Sequence, residues 1–134
     1  MAIRNAHRVK RLERRAPTYL AALRPTLAPV AWTASFLAHR PEARSILAHA
    51  AALAPLHAPA YVLEDEPRLT ASAAAYVLYR HSGLIGVKDV TQWHPDAEQK
   101  VAGLMFAELL ELTLRFAGET GTPIPGGHIF AACV

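Results

Sequence analysis

The sequence predicts an all-α fold, a compact bundle of about five to six short-to-medium helices with a non-helical C-terminal tail. Three observations predict it. Prolines recur at the fronts of alanine- and leucine-rich stretches, where a missing N–H costs a helix nothing. Glycines follow two of those stretches, as left-handed caps do. Strand-prone residues are confined to two short runs, 84–90 and 129–134, neither with an obvious partner. At 134 residues the chain is read as a single domain.

The elements follow in order. Residues 4–15 read as a basic helix within an N-terminal segment 1–16. Helices at 17–27 and 29–39 follow Pro17 and Pro29 and can form one bent helix. Pro41 opens a helix over 41–54, which Pro55 is expected to stop. Pro67 opens 67–82, where Arg80 and His81 suit the negative end of the helix and Gly83 suits its cap. Pro95, Asp96 and Glu98 open 95–117, with Gly118 as the expected cap.

In this last helix Phe106, Leu109, Leu110, Leu112, Leu114 and Phe116 cover more than half the circumference. Such a helix is expected at the centre of a bundle or against a second subunit. Residues 118–134 form a Gly/Pro bend, 122–127, and an uncharged apolar tail.

Composition excludes several classes. Cys133 is the only cysteine, so no intrachain disulfide can form, and a reducing cytoplasm is the expected compartment. Pro17, Arg24 and Pro25 interrupt the apolar core that a secretory leader would need. The longest uncharged run, 45–63, is broken by Pro55 and Pro59, so no membrane association is expected.

Charge is distributed unevenly. Residues 1–24 carry seven cations against Glu13 alone, while residues 25–134 carry seven cations and ten carboxylates. On a helix Arg4, Arg8, Arg11 and Arg15 align as one stripe, which Lys10 and Arg14 widen. Like charges so placed repel one another, and an anionic partner relieves that repulsion. Guanidinium groups pair bidentately with phosphate, and each phosphate neutralised releases counterions. The leading expectation is therefore a non-enzymatic binding protein whose Arg4, Arg8, Lys10, Arg11, Arg14 and Arg15 contact nucleic acid or a nucleoprotein complex. A solvated basic arm is the bland alternative, and an acidic protein partner, including the chain's own segment of Glu64, Asp65 and Glu66, is another.

A second expectation is a self-associating structural protein. It would form a homo-oligomer through helix 95–117 and the tail, with Ile129, Phe130 and Val134 at the interface. A third starts from Arg44 and His49, whose R-x-x-x-x-H spacing resembles that of the HEPN ribonucleases, a family of small all-α proteins. The resemblance covers those two residues, and it implies an RNA-cleaving site built on them.

The seven histidines form no recognised ligand spacing, so no metal or other cofactor is expected. His81, Asp89, His94 and Asp96 lie in or beside one loop, where capping and turn roles are expected first. Gly83-Leu-Ile-Gly86 matches a GxxG string but is read as a turn between helices. No phosphate-binding loop, serine elbow or cysteine nucleophile is present, so no catalytic residues are assigned.

Overall fold

A computed structural model describes residues 30–58, 69–85, 87 and 90–133. Among the described residues the fold is all-helical, with four α-helices and no strand. They are α1 (Val30–His39), α2 (Ala43–His57), α3 (Ala71–Ser82) and α4 (Ala97–Thr120). Short 3-10 segments occur at Val90–Gln92 and Ile129–Cys133. The helices expected at 4–15 and 17–27 lie outside the described residues.

Local chemistry accounts for the helix ends. Thr70 caps α3 by accepting from the Ala73 N–H at 3.1 Å. Asp96 accepts from the Gln99 N–H at 2.8 Å while the Gln99 side chain accepts from the Asp96 N–H at 3.0 Å, a reciprocal box that starts α4. Gly83 ends α3 at φ 76° and Gly121 ends α4 at φ 68°, both in the left-handed region.

Three expected boundaries move. α2 continues through Pro55 to His57, its last turn held in part by the buried Ala54 and by the Ala58 N–H bond to Ala54 O at 2.7 Å. α3 starts four residues after Pro67, at the threonine cap. α4 does not stop at Gly118, which is an ordinary exposed helical position, but at Gly121.

α3 is the most enclosed element. Ala71, Ala73, Ala74, Ala75, Val77, Leu78 and Tyr79 are all buried, and only Arg80 is openly exposed. Its small side chains let neighbouring helices approach it closely. α4 lies against it, and the broad apolar face of α4 buries Phe106, Leu109, Leu110, Leu112 and Phe116 within this chain's own core.

The apolar tail closes that core. Trp32 of α1 donates from Nε1 to Pro123 O at 3.2 Å, and the Ile129 N–H donates to Ser72 Oγ at 3.1 Å. His128, Ile129 and Phe130 are fully buried. His128 stands edge-on to Trp32, and Phe130 stands edge-on to Phe106.

Among the described residues neither strand-prone run is extended as a strand. After the bend, residues 129–133 close their backbone locally in a 3-10 turn, with the Ala131 N–H bonded to His128 O at 3.0 Å. The tail was expected to be non-helical, and this turn corrects that expectation. In the other run the Val87 N–H bonds Leu84 O at 3.1 Å. Without a neighbouring strand, the β-branched and aromatic residues here bury themselves by packing alone.

Candidate functional site

The C-terminal ends of α2 and α3 and the N-terminal end of α4 meet at one corner. α3 delivers its last turn there because Gly83 reverses the chain and Ser82 secures the turn. Ser82 Oγ donates to Tyr79 O at 2.6 Å and accepts from the Leu84 N–H at 3.2 Å. Trp93 then folds back, its Nε1 donating to Ser82 O at 2.8 Å, which brings the capping box of α4 alongside.

Two histidines occupy this corner. His57 Nε2 and His81 Nδ1 are 2.9 Å apart and share a hydrogen bond. On the far side of the His81 ring, Nε2 lies 3.7 Å from Glu98 Oε2 in the first turn of α4. Both histidines sit in the last turn of a helix, whose exposed carbonyls favour a cation. Opposing that, burial first, then the charge of His81, then that of Arg80 hold the His57 pKa below the usual 6.5. His57 and His81 can share a proton across their hydrogen bond, and the Glu98 carboxylate stands beyond it. Among the described residues no three His, Cys, Asp or Glu side chains gather as a metal site.

The expected site residues fare differently. Arg4, Arg8, Lys10, Arg11, Arg14 and Arg15 lie outside the described residues, as does Val134. Ile129 and Phe130, expected at a partner interface, are covered by the chain's own helices and present no surface there. The uncharged terminus docks on the core because α1 and α3 leave a polar anchor for it at each end, the Trp32 indole and the Ser72 hydroxyl.

Arg44 and His49 share α2, and five residues of helix set them about 140° apart around its axis. Arg44 is exposed and His49 half-buried. Of the loop group, Asp96 is the cap of α4, His94 is exposed, and Asp89 lies outside the described residues. Gly83 and Leu84 form the expected turn between helices.

Sequence reasoning missed the partner of His81. His57 is 24 positions away and follows a proline read as a stop. The available signal was a histidine close to the end of both α2 and α3.

The described body also pairs much of its own charge. Arg40 of the α1–α2 junction bonds Glu119 at the end of α4 and lies 4.0 Å from Glu42. Arg115 bonds Glu111 one turn away. No helix among the described residues is long and apolar enough to cross a membrane. Comparison with protein-family models, curated proteins and solved structures gave no match for this chain.

Proposed function

We propose that this protein works by binding, and that the cations of residues 1–24 contact nucleic acid or a nucleoprotein complex in a reducing cytoplasm. The observation that carries the reading is the excess of seven cations over one carboxylate in that segment. Local pairing elsewhere supports it. Glu119, Glu111 and Asp96 each have a partner within the helical body, so these carboxylates are already engaged. Phosphate supplies the missing anion at regular spacing, and Arg4, Arg8, Arg11 and Arg15 repeat at helical spacing.

The recognition is of backbone charge. No aromatic stacking pair accompanies these arginines, and no base-reading motif is present. Binding is therefore expected to depend steeply on salt and little on base sequence.

Fluorescence anisotropy with labelled duplex and single-stranded oligonucleotides tests this. Four arginine–phosphate contacts on duplex DNA give a log–log salt slope of about −3.6. Converting Arg4, Arg8, Arg11 and Arg15 to glutamine should flatten that slope and abolish binding at about 150 mM salt. Equal binding by the variant, or no binding by the native chain at low salt, removes the proposal.

A further inference from the structure

We propose that His57 and His81 form a one-proton clasp that ties the last turn of α2 to α3, and that uptake of a second proton opens it. This inference is independent of nucleic-acid binding.

A hydrogen bond between two imidazoles needs one N–H and one lone pair on the facing nitrogens. The neutral pair satisfies this across the 2.9 Å between His57 Nε2 and His81 Nδ1. A pair with one added proton satisfies it too. The charge can sit on His57, whose Nδ1 faces away from the contact, or on His81, whose Nε2 faces Glu98 at 3.7 Å. With two added protons both facing nitrogens carry hydrogens. No lone pair remains, and two cations stand in contact. The hydrogen bond must then break.

The charged groups that face the pair set where this happens. From α3, Arg80 raises the cost of a second charge; from α4, Glu98 lowers it. α2 contains no carboxylate. Burial, His81 and Arg80 together depress His57, so the clasp stays closed at neutral pH and opens below the ordinary histidine range.

The element it releases is locally weak. Pro55 has no N–H, which leaves the last turn of α2 one backbone bond short. Leu56 is 71% exposed and anchors nothing in the core. The histidine bond is therefore a side-chain tie on this turn, beside the packing of Ala54 and Ala58, and its loss loosens residues 56–58 while α3 stays packed.

Histidine-ring NMR titration and amide exchange on the full chain test the clasp. Between about pH 7.5 and about pH 4.5, the His57 and His81 rings should titrate as a coupled pair in two steps. Over the second step the amides of Leu56, His57 and Ala58 should lose about tenfold in protection, corrected for intrinsic exchange, while α3 amides keep theirs. His57→Gln, which can still donate to His81 Nδ1 but cannot take up a proton, should abolish that loss. Independent one-step titration of the two rings overturns the proposal, as does an equal loss of protection in His57→Gln. If that variant fails to fold, the two-step titration of the native rings and the same exchange measurement on His81→Gln decide it.

Discussion

The indole of Trp93 occupies the space that a side chain at position 103 would need: a Cβ on Gly103 would stand 2.6 Å from Trp93 Cη2 and 3.0 Å from Cζ2. Two opposing effects meet here. Gly→Ala inside a helix ordinarily stabilises by about 1 kcal/mol. Against that, the ring cannot retreat freely, because its Nε1 is bonded to Ser82 O at the corner where α3 turns toward α4. Overpacking a fixed neighbour costs about 1–3 kcal/mol, so the net sign reverses. Gly103→Ala should lower the urea midpoint, and pairing it with Trp93→Ala should remove the penalty attributable to the clash. A stabilised Gly103→Ala would show that the indole moves aside.

Gly118 and Gly121 allow a paired test of where α4 ends. Gly118 is helical with open space around its Cα, so Gly118→Ala should stabilise by about 0.5–1 kcal/mol. Gly121 also has open space, but its φ of 68° penalises any Cβ, and Gly121→Ala should destabilise by about 1 kcal/mol. Thermal melts of the two variants should move in opposite directions. The reverse pattern would put the cap at Gly118.

The same two glycines mark how far sequence could be read. Pro41 and Pro95 located the starts of α2 and α4 to within two residues, because proline in a first turn is a local effect. Ends were less legible. Gly118 and Gly121 are chemically identical, and only the path of the following chain toward Trp32 decides which one turns. Pro55 marked a stop, yet tertiary packing of Ala54 carries the helix past it. The tail had strand-forming composition, but the described surface it packs on is helical.

α3 was undervalued for a related reason. Its alanines give little periodic signal, and their value lies in letting other helices come close. The His57–His81 pair was hidden by topology. A short helical hairpin sets the end of one helix beside the start of the next, whereas here α2 and α3 bring their C-terminal turns to the same corner. No local pattern announces that. The charge excess of residues 1–24, by contrast, can be counted without a fold.

Thr113 is buried in α4, and among the described residues its hydroxyl has no hydrogen-bond partner. An unpaired buried hydroxyl costs about 1–3 kcal/mol in desolvation. Valine has nearly the same shape and needs no partner, and both residues are β-branched, so helix propensity changes little. Thr113→Val should therefore raise stability by about 1 kcal/mol in urea unfolding. Thr113→Ala should lower it, because it also empties space beside the core. A destabilised valine variant would mean that the hydroxyl is bonded in solution.

His128 makes the fold acid-sensitive. It is fully buried, and burial pushes its pKa down to about 3. Its Nδ1 accepts from the Phe130 N–H at 3.1 Å, which places the proton of the neutral ring on Nε2. The unfolded chain protonates this histidine near 6.5, whereas the folded chain resists until about 3. Between those values the unfolded state binds more protons, so acid draws the equilibrium toward it. The contribution of His128 is intact above about pH 6.5. It declines below that by as much as about 1.4 kcal/mol per pH unit and levels off near pH 3. Urea midpoints from about pH 7.5 to about pH 4 should fall more steeply for the native chain than for His128→Gln, which lacks the titrating ring. His128→Gln should be less stable at neutral pH, because its amide does not fill the site between Trp32 and Phe130 as the ring does. The difference between the two proteins should therefore shrink as acid is added. A constant difference across that range would mean that His128 titrates in the folded protein as it does in the unfolded one.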